Sequence, residues 1–155
     1  MSSARALANH HLYLARIVLG AWEREAGREE LPSQLLLQAF GPGCREQLLA
    51  AYGWFMLALA GPDELPAEPP REVADLPERA PGKSVPAEIR EFAQLERDGW
   101  LRSLLDWEPE APARARSPGN LVRNVEAGAD AASFRGWAEA LESLFTRMSD
   151  FLDEY

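Results

Sequence analysis

Residues 44–60, CREQLLAAYGWFMLALA, constrain the fold more than any other stretch of the chain. Beyond Gln47 a helix drawn through them is apolar on nearly every side. A helix that is hydrophobic all round has to be buried all round, so this segment needs other helices about it. The uncharged, mainly apolar run at residues 47–61 has fifteen residues, against roughly 20 for a bilayer span. We therefore predict the central helix of a bundle and no membrane span.

The two ends of the chain show the three-and-four spacing of amphipathic helices. In residues 3–28 the spacing predicts one buried face, made of Leu7, Leu14, Val18, Ala21 and Trp22. In residues 131–154 it has the a/d form of a helix packed along its length, with Trp137, Leu141, Leu144, Met148, Phe151 and Tyr155. Asp130 is a suitable N-cap for that last helix.

Glycine and proline predict where helices break. GPG at 41–43 divides the second helical region, because an internal proline costs about 3 kcal/mol. RDG at 97–99 divides residues 86–108, with Asp98 as the N-cap of the second piece. Seven of the 26 residues from 61 to 86 are proline, which indicates a connection that is either functional or poorly ordered.

These patterns predict an all-α fold, without internal repeats or strand-like alternation. The whole chain, 1–155, is expected to form one domain, an antiparallel bundle of four to six helical pieces with one long proline-rich connection. The helices are predicted at about 3–28, 33–40, 43–60, 86–97, 99–108 and 131–154, with the loop at 61–85.

Charge and cysteine content favour some classes of partner and location. The formal net charge of −9 repels nucleic-acid phosphates and anionic membranes, so neither is expected as a partner. A single cysteine, Cys44, excludes an intramolecular disulfide. The start, MSSARALANHHLY, lacks the apolar core of a signal peptide. A cytoplasmic protein is the simplest expectation.

Few residues carry reactive side chains. His10 and His11 point about 100° apart on a helix and border its apolar stripe, and no Glu stands three residues before a His. We therefore expect packed or rim histidines, with no metal site and no cofactor. Cys44 near a helix start would have a lowered thiol pKa, but a small buried hydrophobe is the favoured interpretation. No catalytic constellation is found, so an enzyme built on carboxylates or Cys44 ranks third among the hypotheses.

A candidate partner surface comes from apolar residues left outside the predicted stripes. Leu12 and Leu19 fall outside the stripe of the first helix, and Leu101 and Leu105 face away from Trp100 and Trp107. The sequence leaves open whether these leucines form one patch for a partner or belong to a wide core. Arg114 and Arg116 belong to the one basic region of an acidic chain, which would grip an acidic group or offset the last helix.

The leading functional hypothesis is a non-enzymatic protein–protein interaction module, an adaptor or regulator. Its acidic surface would suit a basic partner through charge complementarity. The alternative is a small-molecule-binding bundle with an apolar pocket between helices, lined by Trp54, Trp100 or Trp137. A homodimer through the same leftover leucines stays open.

Four blocks of the sequence carry a resemblance to a known family: LYLARIVLGAW, QLLAAYGWFMLALAG, GWLRSLL and FRGWAEALESLFTRMSDFL. They resemble a family of small bacterial all-helical proteins catalogued as a domain of unknown function. The resemblance implies an all-helical cytoplasmic protein and transfers no active-site residue. GPG at 41–43 departs from the unbroken second helix expected of that family.

Overall fold

Five α-helices and one short 3₁₀ turn are the regular elements in the described part of the chain. The structure is a computed structural model that describes residues 3–78, 82, 84–109 and 130–153, and it contains no strand within them. The helices are α1 (Ala4–Arg28), α2 (Ser33–Ala60), α3 (Ala87–Asp98), α4 (Trp100–Asp106) and α5 (Ala131–Asp153), with the 3₁₀ turn at Val73–Asp75. The all-α bundle predicted from the sequence is confirmed.

α1 packs antiparallel against α2, as the short connection between them requires. His11 Nδ1 lies 2.7 Å from Gln47 Oε1, and four residues further along α1 the carbonyl of Ala15 lies 4.0 Å from Cys44 Sγ. Ser3 caps the start of α1 by accepting from Ala6 N–H. The buried side of α1 consists of Ala4, Ala8, Leu12, Ala15, Leu19 and Trp22. Of the predicted stripe, only Trp22 is fully buried, and Leu7 and Val18 pack partly buried against the core. The centre of the buried face lies to one side of the prediction, where the small alanines allow α2 and α5 to approach.

α2 does not break at GPG, so the predicted division into 33–40 and 43–60 is wrong. The helix runs through Pro42 without interruption. Packing on either side of the proline explains this. The Trp107 ring lies so close to Gly41 that a β-carbon there would stand 2.8 Å from it, and Cys44 is fully buried. Burial of both neighbours offsets the lost hydrogen bond, which costs about 3 kcal/mol.

The break at 97–99 is confirmed, but its cap differs from the prediction. α3 ends at Asp98, and Gly99, in an extended conformation, is the N-cap of α4 instead of Asp98. α4 ends at Asp106, so Trp107 lies outside the helix that was expected to include it. Arg45 of α2 donates from Nε to the Leu104 carbonyl (3.1 Å) and from Nη2 to the Leu105 carbonyl (2.7 Å). These bonds satisfy carbonyls at the end of α4 that have no partner inside the helix.

Residues 61–78, here called the strap, pack against the second half of α2 and α3. Pro70 lies so close to Gly53 that a β-carbon at Gly53 would stand 2.1 Å from the Pro70 carbonyl oxygen. Arg71 forms a two-pronged ion pair with Glu46 of α2, at 2.9 and 3.1 Å. The Val73 amide donates to Glu96 of α3 at 2.8 Å. The strap thus covers the side of α2 that no helix covers.

Two aromatic clusters form much of the core. One surrounds Phe134 of α5, whose ring lies 5.2 Å from Trp22, 5.1 Å from Trp107 and 4.8 Å from Trp137. The other joins α2 to α5 and α3, with Phe55 stacked on Phe145 at 4.1 Å and 6.4 Å from Phe92. Asp130 accepts from Ser133 N–H at 3.0 Å, which confirms it as the N-cap of α5. Of the predicted core positions, Leu141, Leu144 and Met148 are buried and Trp137 is half-buried, whereas Tyr155 and the side chain of Phe151 lie outside what the structure describes.

Candidate functional site: the outward face of α1 and the α1–α5 groove

Most of the predicted partner surface is core. Leu12, Leu19 and Leu101 are buried, at 5%, 0% and 0% exposure, and Leu105 is half-buried. The sequence left open whether these leucines form a partner patch or belong to a wide core, and their burial shows that Leu12, Leu19 and Leu101 belong to the core. A partner cannot reach these leucines without unfolding the bundle. Arg114 and Arg116 lie outside the described residues.

The exposed apolar residues of α1 lie instead on the side that faces away from the core. Tyr13 is 63% exposed and Ile17 is 50% exposed, one helical turn apart. They belong to a row with alternating steps of four and three, which we call the outward stripe: Ala6, His10, Tyr13, Ile17, Gly20 and Arg24. The row contains no carboxylate, although the chain has a net charge of −9. Steps of four and three are those with which one helix packs lengthwise against another.

α1 and α5 are joined by three ion pairs in a single antiparallel register. Arg5 pairs with Asp153 at 2.7 Å, Arg16 with Glu142, and Glu23 with Arg135. The steps of 11 and seven residues along α1 equal the steps back along α5. Exposed pairs of this kind contribute about 1 kcal/mol or less each. Their regular spacing nevertheless aligns the two helices, and the paired side chains line a groove between them.

The α1–α5 groove opens between the first two of these ion pairs and has a volume of about 510 Å³. Its floor includes the buried side chains of Leu12 and Phe145. Its polar lining is Arg5, Asn9, Tyr13, Arg16, Glu142, Thr146, Ser149, Asp150 and Asp153. Tyr13 therefore belongs both to this groove and to the outward stripe. The two features form one continuous surface on α1.

Asp150 carries the charge in this groove that is not compensated by an ion pair. Both arginines of the groove are paired, Arg5 with Asp153 and Arg16 with Glu142. Arg147, one turn before Asp150, pairs with Glu91 of α3. Asp150 itself forms no ion pair with any residue in the described part of the chain. The groove therefore presents an available carboxylate beside an exposed aromatic ring.

A second open groove, of about 660 Å³, lies where the strap meets α3 and α4. Its half-buried carboxylate, Glu96, accepts from Tyr52 Oη (2.8 Å) and from the Val73 amide (2.8 Å). Burial raises the pKa of Glu96, the two hydrogen bonds oppose this, and the charges of Glu72 and Asp75 add to it. Burial and the charge of Glu96 raise the pKa of Tyr52 as well. Because Glu96 joins the strap at Val73 to α2 at Tyr52, we interpret it as a structural residue.

The reactive side chains singled out in the sequence have ordinary environments. His10 is exposed and His11 is half-buried at the edge of α2, so the two histidines are rim residues, as predicted. Burial raises the pKa of the Cys44 thiol to about 12, and Cys44 lies in the middle of α2. The small buried hydrophobe is confirmed, and the alternative of a helix-start thiol with a lowered pKa is wrong. In the part of the chain that the structure describes, no three metal-binding side chains cluster.

Neither of the two grooves is lined by Trp54, Trp100 or Trp137, the residues predicted for an apolar pocket. Trp54 is buried in the core, and the other two are half-buried. Among the described helices, none has the length and apolar character that a membrane crossing requires.

The chain was compared with models of protein families, with curated proteins and with solved structures, and no match was found. The resemblance to a small bacterial helical family therefore stays a prediction.

Proposed function

We propose that the protein is a non-enzymatic interaction module that binds another protein through the outward stripe of α1. The observation that carries this proposal is the exposure of Tyr13 and Ile17 on a helix whose opposite side is already buried in the core. Exposed apolar residues are ordinary when they are scattered singly. Here they fall in one row with small residues, Ala6 and Gly20, that let a second helix come close.

The partner best suited to this stripe is a helix with its own apolar row. Packing of two such helices buries Tyr13 and Ile17 at the centre, and tyrosine is among the side chains enriched at the energetic centres of interfaces. Half-buried Leu14, Val18 and Ala21 continue the apolar surface beside the stripe. The net charge of −9 on the whole chain favours a partner with basic residues, because attraction between opposite charges speeds and orients the encounter.

The absence of activated side chains in the described core supports a binding role over catalysis. The Cys44 thiol is buried with a pKa of about 12, so almost no thiolate forms near neutral pH. Glu96, the half-buried carboxylate with a raised pKa, accepts hydrogen bonds from Tyr52 of α2 and from Val73 of the strap.

The test uses three baits: the wild-type chain, a Tyr13→Asp/Ile17→Asp variant and a Leu65→Asp control. Leu65 is 41% exposed on the strap, so its substitution also places a carboxylate where an exposed apolar side chain was, but away from α1. A protein captured from native cells is then purified, and its binding to each bait is measured by calorimetry. We expect direct binding to the wild type, unchanged binding to Leu65→Asp, and at least a tenfold loss with the stripe variant.

Two outcomes would overturn the proposal. One is equal affinity of the stripe variant and the wild type for the purified partner. The other is a wild-type dimer in sedimentation equilibrium that dissociates in the Tyr13→Asp/Ile17→Asp variant, since a second copy of the chain would then cover the stripe. Circular dichroism of each bait verifies that the helices are intact.

A further inference from the structure

The chemistry of the α1–α5 groove narrows the class of partner. The groove shares Tyr13 with the outward stripe, so a helix lying on the stripe passes along its edge. The groove is open to solvent along that edge and is large enough to take one long side chain. What it offers is one carboxylate without an ion-pair partner, an exposed aromatic ring, and neutral polar groups.

The register of the two helices places these groups around one volume. The ion pairs set Asn9 opposite Ser149 and Leu12 opposite Thr146. Asp150 follows Ser149 on the open side of α5. Asn9, Thr146 and Ser149 supply side-chain oxygens that accept hydrogen bonds from N–H groups. These acceptors, Asp150 and the Tyr13 ring all suit a planar cation.

We propose that the α1–α5 groove receives an arginine side chain of the protein that covers the outward stripe, with its guanidinium on Asp150 and against the Tyr13 ring. This inference rests on the proposed function. Guanidinium is a planar fork that bonds carboxylates with two parallel N–H groups and stacks on aromatic faces. The lysine ammonium is a compact, strongly hydrated charge and would interact less favourably with the face of the Tyr13 ring.

Charge supports a cation over an anion in this groove. The lining contains two arginines and three carboxylates, and both arginines are paired within the groove itself. An incoming carboxylate or phosphate would have to displace Asp153 or Glu142 and would approach Asp150. An incoming guanidinium displaces nothing and relieves the one unpaired charge.

The test needs no partner, because butylguanidinium, a mimic of the arginine side chain, serves as the probe. Amide resonances of ¹⁵N-labelled full-length protein are followed as the probe is added, with butylammonium as the comparison. We expect the largest shift changes at Asn9, Tyr13, Ser149 and Asp150. Butylguanidinium should bind more tightly than butylammonium, and added salt should weaken both.

Three variants locate the contact. Asp150→Asn should weaken the probe's affinity roughly two- to fivefold, as expected for a solvent-exposed ion pair. Glu139→Gln removes the same charge from an exposed position of α5 outside the groove and should leave the affinity unchanged. Tyr13→Leu keeps an apolar side chain but removes the ring, so it should abolish the preference for butylguanidinium over butylammonium.

The proposal is overturned if Asp150→Asn and Glu139→Gln reduce the affinity equally, since the probe would then be a general counterion. Shift changes spread evenly over the acidic surface would have the same meaning. Failure here is separable from failure of the proposed function. If the groove does not bind the probe but the stripe variant loses its partner, only the proposed arginine site is wrong. If the groove binds the probe but the stripe variant still binds its partner, the proposed docking role of the stripe is wrong.

Discussion

α1 and the second half of α2 are antiparallel neighbours, yet only α2 is covered on every side. Residues 51–57 of α2 are all buried, whereas no two consecutive residues of α1 are. α2 contacts α1, α3 and α5, and the strap closes its remaining side at Gly53. α1 lies at the edge of the bundle between α2 and α5. The comparison shows that apolar character alone does not decide burial, because the outward stripe of α1 is also largely apolar.

The difference between the two helices predicts that loss of an apolar side chain lowers the free energy of unfolding strongly in α2 and only slightly on the outward stripe of α1. Phe55 of α2 is 1% exposed and stacks on Phe145. Phe55→Ala should lower the free energy of unfolding by about 3–5 kcal/mol, because it removes buried surface and leaves a cavity. Urea unfolding followed by circular dichroism measures this loss. A loss below about 1 kcal/mol would mean that the core at Phe55 can collapse and is not the centre of the bundle.

Adding one methyl group at Gly53 of α2 should separate the strap from this helix. Gly53→Ala places a β-carbon where the Pro70 carbonyl now lies, and a backbone atom cannot move without moving the strap. We expect a loss of about 1–3 kcal/mol in unfolding free energy, together with faster hydrogen exchange at the Val73 amide. Gly43→Ala is a matched control in the same helix, because a β-carbon there meets no atom within 4 Å. Equal stability of the two variants would show that the strap does not seal α2.

The raised pKa of Glu96 predicts that its contribution to stability depends on pH. Its folded-state pKa is raised above 4.5, so the native state binds more protons than the unfolded state between 4.5 and the raised value. Its contribution to stability is therefore full below pH 4.5 and declines as the pH rises through the raised pKa. Glu96→Gln keeps an acceptor oxygen for Tyr52 and Val73 but cannot ionise.

Thermal unfolding of both proteins from pH 4 to 8 tests this sign. The stability of the wild type relative to Glu96→Gln should fall with rising pH. Groups such as Glu23, whose pKa is lowered by the hydrogen bond from Arg135, act in the opposite direction but are common to both proteins. A difference that stays constant or rises would contradict the assignment of a raised pKa to Glu96.

The smallest effect is expected on the outward stripe. Ile17→Ser changes a side chain that is 50% exposed and belongs to no core cluster, so the free energy of unfolding should change by about 0.5 kcal/mol or less. The same urea titration that detects the loss in Phe55→Ala measures it. A loss of 2 kcal/mol or more would mean that residues outside the described ranges cover the stripe within the same chain, and the docking proposal would lose its basis.

Local sequence patterns were sufficient for the class of fold and for most helix ends. The all-apolar stretch after Gln47, the a/d spacing of α5 and the RDG break each depend on residues near one another in the chain. Such patterns express the geometry of a single helix, which is 3.6 residues per turn whatever surrounds it. The N-cap at Asp130 and the break before α4 were predictable for the same reason.

The candidate site was not predictable, because it depends on where the centre of the buried face of α1 lies. Leu7 and Leu14 belong to one row, Leu12 and Leu19 to another, and the sequence contains no local signal that separates them. Small alanines at 8 and 15 allow close packing on the second row, but only the presence of α2 and α5 there makes that packing favourable. The available charge of Asp150 likewise depends on the pairings of arginines distant in the chain.

The sequence by itself determined an all-helical chain with a buried second helix, because hydrophobic periodicity acts within each helix. Tertiary structure decided the rest: α2 continues through Pro42 because Trp107 and Ala15 pack on either side of the proline. It also decided that the strap lies on Gly53 and that Tyr13 and Ile17 face solvent. These outcomes rest on contacts between residues far apart in the chain, whose free energies of packing outweigh local preferences.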